Sequence, residues 1–193
     1  MKLKATMQKL LLGAVCLIAA ALTCLAAPQA PGVPNFREVN EHIYRGAQPS
    51  PEGFKSLAKL GIKTIIDLRG GGPRSAAEEK MVKAAGMRYI SIPMKGLHAP
   101  SDEEIWKALG VLDDSSGWPV FVHCLRGKDR TGVVVACYRI VHDHWQNQKA
   151  LQEARLAGMS WVERAMQSYV LRFQPAGKPA PLGVQPQPAL SVQ

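Results

Sequence analysis

A chain of 193 residues, 47% hydrophobic and 20% charged, has the length for one domain around a single core, and this composition excludes a disordered or fibrous polypeptide. Lysine and arginine outnumber aspartate and glutamate by 24 to 15, a formal charge of +9. Such a balance favours anionic ligands without choosing among phosphates, nucleic acid and anionic membranes.

Lys2, Lys4 and Lys9 precede an almost wholly apolar run from Leu10 to Leu25, and small residues follow at Ala26 and Ala27. This order predicts a signal peptide over 1–26, cut after Ala26, and export to a bacterial periplasm or medium with no stable membrane insertion after cleavage. The competing reading is a retained anchor, against which the run is shorter than the ~20 residues of a spanning helix. Cys16 and Cys24 leave with the leader. Cys124 and Cys137 remain, and a helix between them would hold them too far apart to bridge. Residues 27–34 contain Pro28, Pro31 and Pro34 and read as an extended linker. The domain is expected over 35–173. The stretch 174–193, rich in Pro, Gly, Ala and Gln, reads as a disordered tail.

Strand and helix signals alternate within the domain. Ser50-Pro51 opens a helix to Leu60, with Ser as N-cap and Pro at the first helical position. Ile62 to Leu68 is a buried strand. After Gly70-Gly71-Gly72-Pro73, the pattern Ser75-Ala76-Ala77-Glu78 reads as a capping box starting a helix that ends near Gly86. Arg88 to Met94 is a strand. A second capping box, Ser101-Asp102-Glu103-Glu104, launches a helix carrying Ile105, Leu109 and Leu112. Trp118 to Val122 is a strand, followed by a helix from Thr131 to about Asp143. Two more helices, near 147–157 and 160–173, are expected with Asn147 and Ser160 as caps. Strands separated by helices imply an α/β domain whose central, mostly parallel sheet is flanked by helices. Ligands of such sheets sit at the carboxyl ends of the strands.

At one such end stands His123-Cys124-Leu125-Arg126-Gly127-Lys128-Asp129-Arg130-Thr131-Gly132. A cysteine leaves a buried strand, five residues intervene, and an arginine opens a helix. The backbone N–H groups of a loop wrapped around a helix N-terminus suit the oxygens of a phosphate ester. Gly127 lets the loop take backbone angles a side chain would resist. The planar fork of Arg130 can grip two oxygens at once. The same positive surroundings would hold Cys124 as a thiolate, able to attack phosphorus in line and form a cysteinyl-phosphate that water cleaves. Thr131 could steady the sulfur as it leaves.

These residues resemble the signature of the protein tyrosine phosphatase superfamily: a cysteine, five residues and an arginine, usually with His before and Ser or Thr after. Phe36-Arg37-Glu38-Val39, Ile43-Tyr44-Arg45-Gly46-Ala47-Gln48-Pro49 and Ile65-Ile66-Asp67-Leu68-Arg69 extend the likeness to the compact atypical dual-specificity phosphatases of bacteria, fungi and plants. The resemblance implies a cysteine phosphatase fold and a metal-free, cofactor-free phosphoric monoester hydrolase. Cys124 would be the nucleophile, Arg130 the phosphate clamp, and His123 a neighbour that tunes the thiolate. The general acid of this superfamily is an Asp about thirty residues before the cysteine, and here Ile92 to Pro100 holds no carboxylate. Asp129 is the first candidate in its place, with Asp102 and His98 as alternatives. Arg126 and Lys128 either recognise further phosphates or hold the loop and depress the thiol.

The expected partners are phosphorylated protein or a phosphorylated inositol or lipid, with no nucleic acid and a monomeric chain. Two other classes stand beside the phosphatase: a sulfurtransferase-like enzyme, against which the five-residue spacer speaks, and a catalytically silent phosphate-binding module. His142 and His144, two apart on a helix, make a poor metal pair. Trp145 and Trp161 are expected to pack the last helices against the sheet, and Arg69 to form a salt bridge or face the site.

Overall fold

Val120–Cys124 is buried at every position, as is Thr64–Asp67. Strands hidden on both faces need cover on both sides, and the helices supply it. The computed structural model describes residues 29–175. The predicted leader, and the tail from 176 onward, lie outside the described residues. Five strands, β1 (Arg37–Asn40), β2 (Ile43–Ala47), β3 (Thr64–Asp67), β4 (Arg88–Ser91) and β5 (Val120–Cys124), form one sheet in the order β1-β2-β5-β3-β4. All neighbours run parallel except β1, which pairs antiparallel with β2 at the edge.

The helices α1 (Pro51–Lys59), α2 (Pro73–Ala84), α3 (Asp102–Asp113), α4 (Asp129–His142), α5 (Asn147–Leu156) and α6 (Arg164–Arg172) follow in chain order. On one face, Phe54, Leu57 and Val82 of α1 and α2 close over Ile65 and Phe121. On the other, Ile105, Leu109, Val133 and Val134 of α3 and α4 bury Ile66, Leu68 and Val122, and α5 and α6 complete that layer. Register sets Ala47 beside Cys124 and Asp67 beside His123. The carboxyl ends of β2, β3 and β5 therefore meet at one place.

Local signals and structure agree where the device is complete in sequence. The Gly53 N–H donates to Ser50 Oγ at 3.2 Å at the start of α1. At α3, Glu104 N–H donates to Ser101 Oγ at 3.2 Å and Ser101 N–H to Glu104 Oε2 at 2.7 Å, the reciprocal pair of a capping box.

Elsewhere the fold corrects the reading. α2 begins at Pro73, so Ser75 and Glu78 lie inside it and their side chains turn toward the sheet instead of capping. β1 and β2 go unread as strands: β1 is four residues long and half exposed, and Arg45 and Gly46 interrupt the apolar pattern of β2. Asn147 does not cap the start of α5, where Gln146 is the N-cap residue; its Nδ2 donates to the carbonyls of Val170 and Phe173 and ties α5 to the end of α6. α6 starts at Arg164, with Glu163 as its N-cap residue. Residues 29–34 are not a free linker: Ala30 and Val33 are buried beside Phe54 and Phe121. Trp161 is 77% exposed and packs no helix. No helix of the described residues is long and apolar enough to cross a membrane.

Candidate active site

Cys124 ends β5, and the loop 125–128 turns directly into α4. Loop carbonyls are drawn outward by donors from behind. Gln48 N–H reaches the Leu125 carbonyl at 3.3 Å, while Asn35 Nδ2 and Arg45 Nη2 hold the Gly127 carbonyl at 2.9 and 3.0 Å. Because a peptide's C=O and N–H point in opposite directions, the N–H groups that follow, of Arg126 and Lys128, turn inward. Gly127 has φ +65°, and a Cβ there would lie 2.1 Å from the carbonyl carbon of Gly46. Gly127→Ala is therefore expected to cost at least about 1–2 kcal/mol from the left-handed backbone alone and to abolish oxyanion binding. Urea unfolding and a phosphate titration check the two effects.

Burial alone would push the Cys124 thiol up. The hydroxyl and N–H of Thr131, the Arg130 guanidinium and the Lys128 N–H outweigh it, and the thiol sits below its ordinary value. The Thr131 hydroxyl has no oxygen or nitrogen partner, which leaves it to the sulfur. Arg130 is steadied by the carbonyls of Leu68 and Met94 at 3.4 and 3.3 Å. It lines, with Cys124, a cavity of about 260 Å³. Leu125 and Arg126 stand on its rim, both exposed. The Lys128 side chain lies over Gly158, in the connection between α5 and α6. Cys137 is buried in α4 as a free thiol that burial pushes upward, and no disulfide joins it to Cys124.

The three candidate acids fall in different places. Asp129 lines the cavity, yet both its oxygens are engaged: Oδ1 accepts the Ser160 N–H at 2.8 Å and Oδ2 the Arg126 guanidinium at 3.0 Å. Neither oxygen can reach a leaving group without giving up one of these bonds. Asp102 accepts Tyr169 Oη at 2.7 Å and lines a separate hollow with Trp106 and Arg172. His98 is exposed, with Nδ1 2.8 Å from the Gly96 carbonyl. Glu163, which the sequence reading passed over, is 4% exposed and lines the Cys124 cavity.

Beneath the loop lies a second group that sequence reasoning missed. His123 Nδ1 is 3.2 Å from the Cys124 carbonyl oxygen. Its Nε2 is 2.7 Å from Glu78 Oε1, a close contact off the N–H axis and not a well-aligned hydrogen bond. Arg69 Nη2 bridges Glu78 Oε2 at 2.6 Å and Asp67 Oδ2 at 2.8 Å, and Nε adds a bond to Asp67 Oδ1. Ser75 Oγ and Tyr89 Oη also donate to Asp67. Burial would raise the Asp67 carboxyl, but these donors and the His123 ring hold it well below the carboxylate range. Asp67, Glu78 and His123 bring their polar atoms together, and Arg69 occupies the place between the two acids that a cation would take. Arg45, on β2, reaches the loop from behind. It is 3% exposed, and burial pushes its guanidinium down to about 10.

Residues 28–171 match the family model described as "DSP-PTPase phosphatase fused to NAD+ Kinase". The chain is 34% identical to inositol diphosphatase DSP3 of Arabidopsis thaliana over 67% of its own length and 66% of that protein's. It is 31% identical to the dual specificity protein phosphatase TpbA of Pseudomonas aeruginosa over 64% and 55%. It therefore spans less than two-thirds of the length of either. The crystal structure of P. aeruginosa TpbA superposes with a TM-score of 0.66 at 27% identity, covering 79% of this chain and 92% of that one; a further structure of TpbA is a complex with phosphotyrosine. With a parallel sheet delivering a cysteine to a loop that ends in arginine, and a family match across the described domain, this chain belongs to the DSP-PTPase phosphatase family.

Proposed function

We propose that this chain hydrolyses phosphate monoesters through a cysteinyl-phosphate intermediate. One observation carries the reading: a thiol held below its ordinary pKa lies in a cavity shared with the Arg130 guanidinium. Cys124 attacks phosphorus, the inward N–H groups and Arg130 hold the non-bridging oxygens, and Thr131 stabilises the sulfur when it departs. Leu125, Arg126, Gly127 and Lys128 form the binding loop. His123 orients its base from below. Asp129 ties the loop to the α5–α6 connection, since its oxygens are already committed.

Phosphotyrosine is the leading substrate class. A specific feature favours a second, a polyphosphorylated inositol. A neighbouring cavity of about 210 Å³ shares Leu125 and Arg130 with the first and is lined further by Arg69, Gly71, Arg74 and Ser75. It lies at the start of α2, which has no capping side chain and no acid in its first turn, so a second phosphate would meet positive potential there. The test is a panel of 4-nitrophenyl phosphate, a phosphotyrosyl peptide and inositol diphosphates on the purified domain. Phosphate release from the first two is expected. A preference of about tenfold in kcat/KM for the inositol diphosphates, erased by Arg74→Ala, would establish the second class, and no release from any would reject the reading. The basic and apolar leader supports export, for which an N-terminus at Ala27 in the secreted fraction is the expected result.

A further inference from the structure

Glu163 is the carboxyl group in the Cys124 cavity that nothing holds. Among the described residues its side chain makes no hydrogen bond or ion pair, whereas Asp129, in the same cavity, is tied at both oxygens. The residue is 4% exposed, yet its oxygens are not sealed off from space as are those of Glu78. It lines the cavity together with Cys124, Asp129 and Arg130.

The segment that carries it is fixed in place. Ser160 N–H is bound by Asp129, Gln167 Nε2 donates to the Ser160 and Trp161 carbonyls, and Met159 packs against Gly132 of α4. Glu163 begins α6 without capping it, since its side chain accepts no N–H of that helix. A helix start favours an acidic residue in any case. That favour does not require the side chain to be buried in the phosphate cavity and left without a donor, at a cost normally avoided.

We infer that Glu163 is the general acid and base of the reaction, delivered from the α5–α6 connection and replacing the carboxylate that the segment 92–100 lacks. In the first step the Cys124 thiolate forms the S–P bond and the P–O ester bond breaks. Its electron pair stays on the leaving oxygen, which takes the proton of the Glu163 carboxyl and departs as the alcohol. In the second, water attacks phosphorus and the S–P bond breaks. Its electron pair returns to sulfur, and the water's proton goes to the Glu163 carboxylate. Inorganic phosphate leaves and both side chains are restored. The inference rests on the phosphatase reading and needs no other reactant.

The experiment compares phenyl phosphate, whose leaving oxygen needs a proton, with 4-nitrophenyl phosphate, whose leaving oxygen departs readily without one. Glu163→Gln keeps the shape and removes the acid. The expected loss in kcat/KM is about 10²-fold on phenyl phosphate, in the range of general acid catalysis, and within about threefold on the nitrophenyl ester. Glu163→Asp, shorter by one methylene, is expected to fall between wild type and Glu163→Gln on phenyl phosphate, and it serves if the amide variant does not fold. Asp129→Asn is expected to lower both esters alike. Equal losses on the two esters for Glu163→Gln, or none, would overturn the inference while leaving the phosphatase reading standing. Failure of the wild-type chain to cleave either ester would instead remove the reading beneath it.

Discussion

Replacing Cys124 by serine is expected to take turnover to the assay floor, a loss of at least ~10³-fold, while phosphate or vanadate still binds. A serine hydroxyl is far from ionised under conditions that make the thiol a thiolate, so the attacking electron pair is lost. The binding apparatus does not depend on the sulfur. The outward carbonyls of Leu125 and Gly127 are held by Gln48, Arg45 and Asn35, and Arg130 is held by Leu68 and Met94. Isothermal titration with oxyanion, beside an aryl phosphate assay, separates the two functions. Retained turnover, or lost binding with the fold intact, would contradict the arrangement.

The second large effect concerns stability. Glu78→Ala is expected to cost about 3–5 kcal/mol, because it leaves the buried Arg69 and His123 facing an empty site. Glu78 is 0% exposed and lies 2.6 Å from one and 2.7 Å from the other. Urea unfolding of the domain measures the loss, and a change within ±0.5 kcal/mol would show that the group is not a unit. Its neighbour Asp67 adds a dependence on pH. Asp67 has a depressed folded-state pKa, so its contribution is fully present above its unfolded value, about 3.9, and fades as pH falls through the folded one. The unfolding midpoint should therefore hold from pH 7 to pH 5 and decline below pH 4. Asp67→Asn should flatten that decline.

The strand, loop and helix that present Cys124 were legible because the device is contiguous: a buried run, a glycine, and an arginine at a helix start. The capping box at Ser101 was legible for the same reason. Ser75-Ala76-Ala77-Glu78 carries the same local pattern, yet it sits inside α2, because Gly72 and Pro73 start that helix three residues earlier. What those side chains do is decided by Asp67 and His123, which only the fold brings to them. Asp129 was the natural candidate acid within the motif. Its commitment to Ser160 depends on a connection 31 residues away that carries no motif of its own. Glu163 stood in that same connection and looked like an ordinary helix residue. The edge strand β1 and the packed Ala30 and Val33 were hidden by short length, exposure and prolines that suggested a linker.

Asn35 sends its one amide nitrogen to two carbonyls, that of Gly127 in the cysteine loop at 2.9 Å and that of Ala157 in the α5–α6 connection at 3.1 Å. A single side chain thus pins two separate banks of the cleft to a common post. Neither bank can swing without dragging the other, so a guest meets a floor and one wall already cast against each other.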